Sequence, residues 1–195
     1  MSTPLVAYLQ RIPDVRSDLG KRYRLDDMLI MIILGMLSGR YGYRELGTFV
    51  KANRAALVTL LGLKRNAVPS HVTIRAVMQS LDFAAVAASF HLWAAERLQM
   101  MPGDVLSIDG KALASTVNDA HGAMQTFQCF LSVYSQRHGA VYSLKRYQHG
   151  HDGEIPMLQE LIAALDLTDV TLSVDALHCQ KKRSPRSLTP ATTIS

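Results

Sequence analysis

Val105-Leu106-Ser107-Ile108-Asp109-Gly110-Lys111 decides how the second half of this 195-residue chain is read. A short apolar run, Val105 to Ile108, ends on a carboxylate, followed by a glycine able to turn tightly and then a cation. A second run of the same kind, Val170-Thr171-Leu172-Ser173-Val174, leads into Asp175-Ala176-Leu177-His178. Two buried strands that each stop on an Asp can lie side by side with axes about 4.8 Å apart, so that their carboxylates meet at one edge of a sheet. Oxygen ligands of this kind hold hard divalent cations, and two such ions about 3.5–4 Å apart clamp phosphoryl transfer. The pattern points to a metal-dependent site that cuts nucleic acid. An Asp at a strand end equally serves to turn the chain or to cap a helix.

The segments between these runs supply the rest of a sheet. Gln125 to Ser135 and Ala140 to Tyr147 read as two strands joined by Gln136-Arg137-His138-Gly139, with glycine where a positive φ is needed. Gly153-Glu154-Ile155-Pro156 opens a helix whose Leu158, Leu161, Ile162 and Leu165 fall at helical spacing. The order strand, strand, strand, helix, strand predicts a hairpin followed by a crossover helix back to a parallel strand, a mixed α/β sheet. In the ribonuclease-H-like fold this order puts the fourth strand beside the first, which brings Asp109 and Asp175 together.

The first hundred residues read as helices, so the whole is expected to be α+β. A short opening helix stops near Pro13. Asp14 to Tyr23, polar and rich in Arg and Lys, is read as a linker or basic arm. Asp26-Asp27 favours a helix start through the helix dipole, and Met28 to Leu37 is apolar on every side, as in a helix buried in a bundle. Helices are also expected over Tyr43 to Ala52, Ala55 to Leu63, Ser70 to Leu81 with Ser70 as N-cap, and Phe83 to Leu98 behind Asp82. Short helices with tight turns and a late polar helix allow a helix-turn-helix reading, in which His71, Thr73, Arg75 and Gln79 face a DNA groove. The same four residues also suit the solvated face of a bundle helix.

Charge divides unevenly. Met1 to Met100 holds 13 Lys or Arg against 7 Asp or Glu, whereas Met101 to Ser195 holds 8 against 9. A cationic first half suits a polyanion, and the half with the candidate carboxylates suits bound cations. Cys129 and Cys179 match neither a zinc spacing nor a disulfide framework. No signal-peptide pattern opens the chain, and the Met28 to Leu37 run is half the roughly 20 residues a spanning helix needs, so a cytoplasmic protein without membrane contact is expected. No glycine-rich phosphate loop appears, so no nucleotide cofactor is expected. His149-Gly150-His151-Asp152 precedes a helix and reads as a solvated loop rather than a metal site.

Five short motifs then occur in a fixed order: Gly20-Lys21-Arg22-Tyr23, Pro69-Ser70-His71-Val72-Thr73-Ile74-Arg75, Ile108-Asp109-Gly110-Lys111, Glu154-Ile155-Pro156 and Val174-Asp175-Ala176-Leu177-His178-Cys179-Gln180. In this combination the sequence resembles bacterial insertion-sequence transposases of the DDE type, the group also called H-repeat-associated. The resemblance implies a helical, DNA-binding region over residues 1–100 and the N-terminal part of a ribonuclease-H-like catalytic domain over 101–182. It further implies acidic residues holding two Mg²⁺ or Mn²⁺ ions, double-stranded DNA (element ends and target) as partner, and a possible homo-oligomer. By match of motif, Asp109 and Asp175 are the first two acids, and Lys111 is placed to meet a DNA phosphate or is a solvated strand-end charge. Glu154 and His178 are accessory candidates, each with a helix-opening role as alternative.

Two departures qualify the expectation. The family's Leu-Arg-Gly after its Asp-Gly-Lys is Leu113-Ala114-Ser115 here. No third acid stands where the family supplies a later Glu, so the enzyme status is left open. Residues 183–195, with eight Ser, Thr or Pro among thirteen, are expected to lack regular structure and to stem from a one-base slip in the codons for Lys181-Lys182. The expected function is therefore a DNA transposase copy, truncated and inactive on its own. The alternative is a non-catalytic DNA-binding or regulatory fragment using the basic first half.

Overall fold

The computed structural model describes residues 3–19, 21–113, 127–149, 154–174 and 193–194. Two compact units divide the chain, with Thr3–Ser89 in the first and Phe90 onward in the second. The first is built from α1 (Leu5–Leu9), α2 (Leu25–Leu37), α3 (Tyr43–Ala52), α4 (Arg54–Leu61), α5 (His71–Ser80) and the start of α6 (Phe83–Arg97). Its core gathers Met28 and Met31 of α2, Leu46 and Val50 of α3, and Ile74 and Val77 of α5, all at most 2% exposed. These pairs recur three or four residues apart, so each helix turns one stripe inward.

Capping fixes the helix starts. Asp26 and Asp27 occupy the first turn of α2, where a carboxylate opposes the positive helix end. The Ser70 hydroxyl accepts a hydrogen bond from the Thr73 N–H at the start of α5, and Asp82 accepts one from Ala84 N–H at the start of α6.

The segment read as a linker or basic arm is a loop between α1 and α2 whose cations are largely tied to its own carboxylates. Arg16 chelates Asp14 at 2.7 Å and donates to the Tyr23 carbonyl, Lys21 pairs with Asp18 at 2.9 Å, and Arg24 pairs with Asp26 at 2.7 Å. Each of these cations is held by a carboxylate two or three residues away, which composition alone does not reveal.

The second unit carries one sheet. β1 (Val105–Ala112), β2 (Phe127–Ser135) and β3 (Ala140–His149) form an antiparallel meander, α7 (Glu154–Leu165) crosses over, and β4 (Thr171–Val174) returns parallel to β1. The strand order is β3-β2-β1-β4-β5, the α+β arrangement expected of a ribonuclease-H-like sheet. Leu106, Ile108, Leu131, Val133 and Leu172 form a buried cluster with Leu158, Leu161 and Leu165 of α7. Gly139 closes the β2–β3 turn at φ 62°, as its position demands.

Two local expectations are corrected. The chain does not turn at Gly110; β1 runs on to Ala112, with Gly110 opposite Leu131 and Lys111 opposite Phe130, because β2 is long enough to pair the whole stretch. In the tail, Thr193–Ile194 forms β5, parallel to Thr171 and Leu172 on the outer edge of β4. Two β-branched residues meet an edge that offers unpaired N–H and C=O groups. Cys129 is a buried free thiol, and Cys179 lies outside the described residues. Among the described residues no helix is long and apolar enough to cross a membrane.

Candidate functional site

Alternation along β1 assigns its residues to two faces. Leu106 and Ile108 are buried in the cluster that includes α7 residues, whereas Ser107, Asp109 and Lys111 take the opposite face, where Asp109 and Lys111 are exposed. Across the ladder, Asp109 stands opposite Ser132 and Lys111 opposite Phe130. Ser132 Oγ donates to the Asp109 carbonyl at 3.4 Å, and Gln136 Nε2 donates to Ser107 Oγ at 2.8 Å. Among the described residues, neither the Asp109 carboxylate nor the Lys111 ammonium has a hydrogen bond or ion pair.

On the other side of β1, Ser107 pairs in register with Ser173, and Ile108 with Val174. Asp109 and Asp175 are the next residue along each of these two chains. Asp175 and His178 lie outside the described residues, as does the His151-Asp152 part of the loop read as solvated. Glu154 is the first residue of α7. Among the described residues no three His, Cys, Asp or Glu side chains are grouped to hold a metal ion. Asp109 on its own offers hard oxygen donors, free of competing partners, of the kind that suits Mg²⁺ or Mn²⁺. The sequence shows no nucleophile–base pairing for Ser107 or Ser173 and gives Ser132 no role. Their signal is the polar parity of β1, β2 and β4, on which small hydroxyls alternate with buried aliphatics.

Of the four residues assigned to a DNA groove, the structure unites three. His71, Arg75 and Gln79 are exposed and spaced by four along α5, so they form one stripe, while Ile74 and Val77 are buried behind it. Thr73 is half-buried, and its hydroxyl lies 3.1 Å from that of the Ser70 cap. Nine residues, Gly62 to Ser70, separate α4 from α5, longer than the three- or four-residue turn of a helix-turn-helix.

Residues 6–94, spanning most of the helical unit, match the model of the DDE_Tnp_1-associated family. Among curated proteins, the chain is 26% identical over 179 residues to "Putative transposase YncI" of Escherichia coli O157:H7, covering 91% of this chain and 44% of that one. It is 27% identical to "H repeat-associated putative transposase YbfD" of Escherichia coli K12, with 91% of this chain and 68% of that protein covered. Over about nine-tenths of its length the chain is thus similar to H-repeat-associated putative transposases. Another relative, "Uncharacterized protein in dhlA 3'region" of Xanthobacter autotrophicus, is 30% identical, with 89% of this chain and 58% of that protein covered. The chain spans less than half the length of two of these relatives, 44% of YncI and 46% of "H repeat-associated putative transposase YhhI" of Escherichia coli K12. Among solved structures, a piggyBac transposase synaptic complex with hairpin DNA aligns over 100% of this chain and 50% of its own, with 15% identity and a TM-score of 0.47.

Proposed function

We propose that this chain carries part of the catalytic centre of a DNA transposase, with Asp109 and Asp175 as two carboxylate ligands of Mg²⁺ or Mn²⁺. One observation carries the reading: parallel pairing of Ile108 with Val174, each the residue immediately before one of the two aspartates. When bound, the cations would activate a nucleophilic oxygen and stabilise the leaving oxygen of a phosphodiester. Asp109, presented on the face away from the α7-lined core, holds the cation side of this chemistry. Lys111, two residues on along the same face, would neutralise a DNA phosphate. Ser132 fixes the backbone at Asp109 through its hydrogen bond to that residue's carbonyl.

Two carboxylates leave a two-ion centre short of ligands and of negative charge. The 195 residues alone are therefore proposed to bind a cation without cutting DNA. Mn²⁺ titration followed by electron paramagnetic resonance tests the ligand pair. Weak binding lost in both Asp109→Asn and Asp175→Asn is expected; binding unchanged in Asp109→Asn overturns the site. With Mn²⁺ and plasmid DNA, no strand breaks are expected. Breaks that vanish in Asp109→Ala would overturn the inactivity and leave the ligand assignment standing. The second reading, a DNA-binding or regulatory piece without chemistry, is favoured by the excess of 13 cations over 7 acids in the first hundred residues.

A further inference from the structure

Arg44, Thr48 and Lys51 recur along α3 at steps of four and three residues, which sets them on one face of the helix. That face, Arg54 at the start of α4, and the approach to α5 from Asn66 to His71 line an open groove of about 730 Å³. Two guanidinium groups, one ammonium and the His71 ring border it, and among its described lining residues there is no carboxylate. Arg44, Lys51 and Arg54 form no ion pair among the described residues. Elsewhere in the same unit Arg16, Lys21 and Arg24 are each tied to an Asp. Arg44, Lys51 and Arg54 keep their charge to offer, and they share one concave surface whose described lining holds no carboxylate, whereas Arg22, Lys64 and Arg65 line a second pocket together with Asp14, Asp26 and Asp27.

The groove is also built to stay open and positive. A Cβ on Gly47 would come within 2.6 Å of His71 Cβ and 3.0 Å of its backbone N, so only glycine lets α3 lie this close to the first turn of α5. The positive end of the α5 dipole borders the same space through Ser70 and His71. From Arg44 to Lys51 the helix rises about 10 Å at 1.5 Å per residue. Each DNA strand carries one phosphate per about 3.4 Å of helix axis, so a reach of about 10 Å laid along that axis passes roughly three. The spacing suits a run of backbone rather than one isolated phosphate, and the lining has no Phe, Tyr or Trp on which an unpaired base could stack.

We infer that this groove is a track for the phosphate backbone of duplex DNA, read without regard to sequence. It rests on the proposed reading of the chain as DNA-acting and adds the place where the helical unit grips. The sequence signal was present in the Arg44–Thr48–Lys51 spacing, but the Asn66–His71 wall that completes the groove is contributed by a distant stretch.

The test is fluorescence anisotropy of a short random-sequence duplex, with affinity followed from about 50 to 200 mM salt. Removing three phosphate contacts in R44A/K51A/R54A should lower the salt slope by about 2.7, or roughly 40-fold less affinity change over that fourfold range. The control R22A/K64A/R65A removes the same charge from another surface of the unit and should stay near the wild-type slope. The charge-keeping R44K/K51R/R54K should retain it as well, and matched melting curves confirm that each variant folds. A wild-type slope in the groove triple, an equal loss in the control, or loss of binding to poly-glutamate but not to DNA overturns the inference. The groove is read by its salt slope in metal-free buffer and the carboxylate pair by Mn²⁺ binding, so a failed carboxylate site and a failed groove are told apart.

Discussion

Two aspartates, one just before β1 and one within it, stand in opposite circumstances. Asp104, just before the strand, is buried and fully engaged: Arg137 pairs with it at 2.8 Å, and the Met101 N–H donates to it at 2.8 Å. The same Arg137 also donates to the Gln99 carbonyl, so one acid–base pair ties the approach to β1 to the β2–β3 turn. Asp109, five residues on, is exposed, and its carboxylate has no partner among the described residues. One aspartate holds the sheet's corner and the other is held out from it. The cations of the helical unit divide in the same way, with Arg24 locked to Asp26 and Arg44 open. A charged side chain whose partners are used up is architecture, and one kept unpaired at a shaped surface is available for a ligand.

The sharpest way to break this comparison is Asp104→Ala. It strips a charge-assisted pair from a buried carboxylate site and is expected to cost about 2–3 kcal/mol of stability in urea unfolding. A loss below about 0.5 kcal/mol would mean that the corner does not depend on Asp104. Next comes Arg24→Ala, which removes the guanidinium partner of the Asp26 carboxylate and should lower the urea midpoint slightly, against no measurable change for Arg44→Ala.

The acid limb sharpens the contrast further. The hydrogen-bonded Arg16 guanidinium holds Asp14 down at about 2, from 3.8. A lowered folded-state value contributes stability that is complete above the unfolded value and is lost as pH falls from about 4 through 2. The urea midpoint should therefore drop across that window, and Asp14→Asn should flatten the drop. The smallest effect belongs to Asp109→Ala, expected within about 0.5 kcal/mol of wild type. A larger destabilisation would place Asp109 among the structural acids and remove the contrast.

Much of the sheet was legible in the sequence, because alternation and turn chemistry act locally. Apolar runs bounded by Gly139 and by the helix-opening Glu154-Ile155-Pro156 gave the element order, and the order fixes which strands neighbour β1. The pairing of Ile108 with Val174 follows from that topology. What was not legible depends on partners distant in the chain or on short-range pairing that composition hides. The Asp14–Arg16 chelate turned an apparent basic arm into a closed loop. The nine-residue link before α5 broke the tight-turn expectation for the polar helix. β5 formed because β4 left an edge unfilled, a property of the sheet and not of Thr193-Ile194. At the candidate site, the aspartates were visible and the serines around Asp109 were not, since a serine in a strand has no signature until its face is known.

The uninterrupted course of β1 through Gly110 has a metric consequence. Asp109 and Lys111 sit one pleat repeat apart, about 6.6 Å at 3.3 Å per residue. Both flanking positions are clamped by the β2 ladder, so the strand behaves as a rigid ruler between an anionic and a cationic mark. Inserting a single residue between them would preserve both charges yet throw Lys111 to the opposite side of the sheet.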